Sequence, residues 1–243
     1  MVEPMDAAMA SESARVRRPG WLRQALIVLE KDVRIELATG EVVVSAAFFA
    51  VLVVVLASLS FYGGPANARL VASGVIWLSV SFAAVLALGK TWQREREESA
   101  LDGLLVTPLS RSAIFAGKAL GVLAFLFAIE LVVIPIAAVL FALDLGEVGP
   151  GLACIALAAT PGVAASGTLF GSMTVRTQAR DLLLAVVLFP LLTPTLLAAV
   201  AASRELLSGV PLGELGDYFR LLGIFDMVFV SGGLALFGTL IER

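Results

Sequence analysis

Six stretches of the chain are apolar at nearly every position, over about the 20 residues that an α-helix needs to cross a bilayer. They are residues 43–62, 70–89, 113–141, 152–175, 182–202 and 221–241, and they predict an all-α, six-span membrane protein. The connections on one side are short, 63–69 with Pro65 and 142–151 with Gly149, Pro150 and Gly151. A longer one, 203–220, carries Gly209, Pro211, Gly213 and Gly216, and its Leu206, Leu207, Val210 and Leu212 suit a segment lying back on the membrane surface. Ahead of the first span the pattern changes. Leu22, Leu26, Leu29, Val33 and Leu37 recur every three or four residues, while Arg23, Glu30, Lys31 and Arg34 take other faces. This predicts an amphipathic helix that either lies in the membrane interface or packs on the cytoplasmic ends of the spans. Residues 1–20 are small and polar, with Arg15, Arg17 and Arg18, and lack the apolar run of a signal peptide. They are expected to form a disordered cytoplasmic tail before a single domain over 21–243.

Between the second and third spans the polarity reverses abruptly. Arg94, Glu95, Arg96, Glu97 and Glu98 follow one another, and such a run belongs in water rather than hydrocarbon. Leu101, Leu104 and Leu105 then fall on one side of a helix that Pro108 ends after Thr107. A solvated loop would satisfy this pattern. A short amphipathic helix under the membrane, with Arg94, Glu95, Glu97, Glu98, Leu101, Leu104, Leu105 and Pro108 docking a soluble partner, is the sharper reading.

Composition narrows the chemistry. Hydrophobic residues make up 59% of the chain and charged residues 15%, against about 25% charged in soluble domains, and the mean hydropathy is +0.98. With the N-terminus inside, 14 of the 17 lysines and arginines fall on the cytoplasmic side, leaving Arg69, Arg204 and Arg220 outside. Both termini are therefore expected in the cytoplasm. There is no histidine and only one cysteine, Cys154, which removes the commonest catalytic base and metal ligand and any internal disulfide. No catalytic or metal-binding residue is assigned. Axial haem ligation by this chain is not expected either, since within the spans only Cys154, Met173, Met227 and Tyr62, the last at a helix end, could supply it.

Within the spans, Pro190 and Pro194 lie one turn apart in the fifth and predict a bend or hinge. Gly167 and Gly171 in the fourth span, and Gly117 and Gly121 in the third, leave small surfaces suited to close helix packing. Two acids, Glu130 and Asp226, fall inside apolar spans, where carboxylates usually face a cavity or a partner. They form either a polar contact that fixes helix register or an intramembrane site, with Asp226 expected nearer the outer face and Glu130 nearer the middle. Ala84 to Thr91 fits a relaxed phosphate-loop pattern, [AG]-x4-G-K-[ST]. Its backbone amides would be occupied within a span, so Lys90 is expected to snorkel to the interface instead.

The string from Arg94 through Leu101, Leu104, Thr107, Pro108, Ser110, Arg111 and Ile114 to Gly117-Lys118 resembles the cytoplasmic signature of type-2 ABC transporter permeases. Within these it is most similar to the haem exporter protein B (CcmB) family of cytochrome c maturation. Within that string Ser99-Ala100 departs from the Gly-Thr or Gly-Ala often found in the signature, and Pro190-Leu-Leu-Thr-Pro194 extends the likeness to the C-terminal half. The resemblance implies a permease subunit in the bacterial inner membrane, present in two copies and driven by a separate CcmA-like ATPase that binds ATP. It implies CcmC-like and CcmD-like membrane partners, a CcmE-like haem chaperone, surrounding membrane lipid, no nucleic acid, no cofactor on this chain, and haem as an indirect cargo. A general lipid or drug exporter, a proton-coupled carrier, and a purely mechanical release of a partner remain alternatives.

Overall fold

A computed structural model describes residues 19–61, 65–97, 103, 106–174 and 180–241. Among these residues there are seven α-helices and no strand. We number them α1 (Trp21–Thr39), α2 (Glu41–Ser60), α3 (Pro65–Glu97), α4 (Arg111–Leu140), α5 (Leu145–Thr174), α6 (Arg180–Leu207) and α7 (Gly216–Ile241), with a 3-10 turn over Leu212–Leu215. The last six are long and apolar enough to span a membrane, and the chain is an all-α polytopic membrane protein. Residues 1–18 of the expected tail lie outside the described residues.

Several helices outrun their apolar windows. α3 continues to Glu97, α5 starts at Leu145, and α6 reaches Leu207. Hydropathy marks what hydrocarbon requires, whereas helical hydrogen bonding persists until a cap or a breaker intervenes. Leu206 and Leu207 consequently belong to α6 rather than to a segment on the membrane surface. Leu207 is buried, and Leu206 packs against Gly151. Nearby, the Trp77 indole donates to Ser203 Oγ at 2.8 Å and ties α3 to α6. Pro190 and Pro194 sit inside a continuous α6.

α1 and α2 are separated by one residue. Gly40 adopts φ +62°, the left-handed conformation that closes a helix with least strain in glycine. Its amide donates to the Glu36 carbonyl at 2.6 Å, and Glu36 Oε1 accepts the Val43 amide at 2.7 Å, capping the start of α2.

Small residues set the helix contacts, as their spacing suggested. Gly167 receives Leu88 and Gly171 receives Trp92, so α3 lies directly on α5. Gly233 receives the Phe115 ring and brings α4 against α7. The Gly117 and Gly121 surface takes α1 rather than another span. A Cβ on Gly117 would stand 2.5 Å from Val28 Cβ and 2.6 Å from the Ala25 carbonyl oxygen.

Candidate functional site

α1 packs along α4 and reaches the end of α3 through its polar side chains. Gln24, Val28, Asp32 and Glu36, each four residues from the next, are buried, whereas Leu22, Leu26 and Leu37 are exposed. The helix packs on the ends of the spans, and leucines of its repeat remain on the opposite, exposed face.

Buried there is Lys118, 1% exposed. Its Nζ lies 2.9 Å from Asp32 Oδ2 of α1 and pairs with Glu95 near the end of α3. Lys31 completes the group at 3.0 Å from Glu95 Oε1 and 3.2 Å from Asp32 Oδ1. Two cations thus face two carboxylates. Burial works to lower the Lys31 pKa, but the Asp32 and Glu95 carboxylates outweigh it and hold the ammonium above its ordinary value. A second balanced group adjoins it. Arg94 lies 3.6 Å from Glu36 and 3.4 Å from Glu41, donates to Thr39 Oγ1 at 3.1 Å, and Lys90 reaches Glu41 at 3.1 Å.

The far end of the polar segment is held by the same helix. The Ser110 amide donates to Gln24 Oε1 at 2.8 Å, and the Trp21 indole donates to Ser112 Oγ at 3.0 Å. Ser110 also caps α4, accepting the Ala113 amide at 3.3 Å. One short helix therefore grips both ends of residues 98–110.

Glu95 is not on the surface expected for a docking residue; it closes the buried ion group, and Arg94 is turned toward α1 and α2. Both belong to α3, because the helix does not stop at the membrane-facing residues. Glu97 is exposed, and so are Gly103, Val106 and Pro108. Glu98, Leu101, Leu104 and Leu105 lie outside the described residues. Ala84 to Thr91 lies within α3, where Thr91 Oγ1 donates to the Ala87 carbonyl at 2.8 Å and Lys90 is ion-paired rather than snorkelling alone.

The two intramembrane acids do not form one site. Glu130, 3% exposed, accepts the Thr160 hydroxyl at 2.6 Å. Asp226 sits instead against Gly162, where a Cβ would come within 2.5 Å of its Oδ1. Residues 160 and 162 are about 200° apart around a helix, so the acids flank α5 at one level on opposite sides. α7, which carries Asp226, begins at Gly216 rather than near residue 221.

The model of the family described as CcmB protein matches residues 23–238. The chain belongs to the CcmB family. It is 32% identical to the heme exporter protein B of Bradyrhizobium diazoefficiens over 206 residues, covering 83% of this chain and 89% of that protein. It is 30% identical to the heme exporter protein B of Rhodobacter capsulatus over 184 residues, covering 73% and 81%.

In this CcmB-family chain the residues that sequence reasoning missed are Gln24, Asp32 and Glu36. Their four-residue spacing with Val28 was a legible signal, since it places them on one helix face. It was eclipsed by the leucine repeat, in which Leu22, Leu26 and Leu37 are exposed rather than packed.

Proposed function

We propose that this chain is the permease subunit of an ABC transporter complex that serves cytochrome c maturation, with ATP bound and hydrolysed by a separate CcmA-like subunit. Family membership and the names of its relatives support a haem-export system. The observation that carries the coupling is the grip of α1 on both ends of residues 98–110.

A soluble ATPase docked through Leu101, Leu104 and Leu105 pushes on a segment whose ends are not free to yield. Removing one partner of a buried ion pair costs about 3–5 kcal/mol, so the Lys118 group stays closed while the load passes to α3 and α4. α1, α3 and α4 then move as one body against α5 to α7. The segment lies on the cytoplasmic face of the bacterial inner membrane with both chain termini. The motion serves haem delivery, or release of the haem-loaded periplasmic chaperone, in company with CcmC-like and CcmD-like subunits. Haem is cargo handled by partners, and this chain contributes the moving helices.

The test is a strain lacking this chain, complemented with wild type or with Leu104→Asp, and assayed for covalent haem in c-type cytochromes. Wild type should restore the cytochromes, and the variant should fail although it accumulates in the membrane. Normal cytochrome c formation without the chain would contradict the assignment.

A further inference from the structure

α7 is packed on one side only. Leu222, Gly233, Phe237 and Ile241 are buried, whereas Ile224, Met227, Val228 and Leu236 are exposed. Lipid chains satisfy such an apolar face as it stands, and it calls for no partner by itself. Asp226 is the exception. It lies five residues beyond Leu221, where the apolar run starts, and so about 8 Å inside that run at about 1.5 Å per residue. Its Oδ1 is shut against Gly162 of α5 and has no hydrogen-bond partner among the described residues. The residue as a whole is only half-buried. Gly223 and Val230, one turn before and after it, are both exposed, and a Cβ on Gly223 would meet nothing within 4 Å. The carboxyl therefore stands beside open space, at a depth where hydrocarbon offers it nothing.

Three kinds of neighbour could fill that space, and they differ in what they bring. A lipid tail brings no hydrogen-bond donor, and its headgroup lies beyond the reach of so short a side chain. A second copy of this chain, inserted the same way, would set its α7 parallel to the first and bring Asp226 to Asp226. Arg220, the one cation of α7, is about 9 Å away along the axis and is taken by Asp217 at 3.0 Å. A helix of a different polypeptide is left, and the acid specifies its chemistry. A lysine or arginine within its apolar run gives a charge-assisted hydrogen bond. Gly223 lets the backbone of that helix come close, as small residues do between spanning helices.

We propose that the open edge of α7 at Gly223, Asp226 and Val230 docks one membrane-spanning helix of another protein, a helix that carries a lysine or arginine paired with Asp226. This goes beyond the haem-maturation role and does not rest on it. The acid fixes the depth and rotation of the incoming helix, and the apolar rim supplies the packing.

The test uses the full-length chain in liposomes, with a photoreactive p-benzoylphenylalanine in place of Met227, which is exposed beside Asp226. Two synthetic spanning helices of about 20 leucines serve as probes, alike except that one carries a lysine at the depth of Asp226. The lysine helix should cross-link about fivefold more than the plain one, a ratio equivalent to about 1 kcal/mol. Asp226→Ala should remove the preference. Gly223→Leu, which builds into the open space, should bring the lysine helix down to the level of the plain one. Equal cross-linking of the two helices to the protein with Asp226 and Gly223 intact would overturn the proposal, and so would products dominated by two copies of this chain. Neither result depends on whether the Ala or Leu variant folds.

Discussion

Two groups of buried acids in this molecule are handled in opposite ways. At the α1 face, Asp32 and Glu95 meet Lys31 and Lys118 in a closed set of ion pairs. Halfway along the spans, Glu130 has one hydroxyl partner and no cation among the described ion pairs, and Asp226 rests against a glycine. A charge kept ionised in a packed interior needs its counter-charge built in, and only the first group has it. The first is a closed, charge-balanced contact that joins α1 to α3 and α4. The second has carboxyl oxygens, Glu130 Oε2 and Asp226 Oδ1, enclosed by neighbouring helices with no counter-charge among the described residues.

The strongest contrast is expected from Lys118→Met, which leaves Lys31 as the single cation facing both Asp32 and Glu95 and should lower stability by about 3–5 kcal/mol. Thermal unfolding in detergent would measure it, and adding Asp32→Asn and Glu95→Gln should recover a large part of the loss. Next comes Gly117→Leu. It forces α1 off α4 at a cost of about 1–3 kcal/mol, and the displaced Trp21 should report it as a change in fluorescence. Glu130→Gln should cost less than about 1 kcal/mol, because the amide oxygen still accepts from Thr160. A loss as large as that of Lys118→Met would erase the distinction between the two groups.

The smallest effect concerns pH. Lys31 is raised above its ordinary value of 10.5 in the folded protein, so the folded state holds its proton more tightly than the unfolded chain. Its contribution to stability should be fully present below about pH 10 and be lost as pH rises through the raised pKa. Unfolding midpoints of wild type and Lys31→Met should therefore converge in strong alkali. A difference that widened there would reverse the sign.

Much of the fold was legible because hydrocarbon tolerates so few residue types. Six apolar windows gave the six spans, and Gly167 and Gly171 marked the close approach to α3. The site was less legible, because its key residues form a face only after α1 is placed. Asp32 sits among Lys31, Val33 and Arg34 in the sequence and looks like solvent decoration until Lys118 lies above it. Glu95 misled for the complementary reason: within a run of five charges nothing local distinguishes the one that turns inward. Pattern also failed at helix ends, where capping by Ser110 and the turn at Gly40, rather than hydropathy, fix the boundaries.

The central claim is that force enters through residues 98–110 from a partner that hydrolyses ATP. The most direct measurement is ATP turnover by the purified chain alone, by the soluble ATPase alone, and by the two reconstituted in one membrane, with wild type and Leu104→Asp side by side. The chain alone should be inactive, the wild-type pair should turn over faster than the free ATPase, and Leu104→Asp should abolish both the stimulation and the co-purification of the ATPase. Hydrolysis by the chain alone, or undiminished stimulation by Leu104→Asp, would contradict the account.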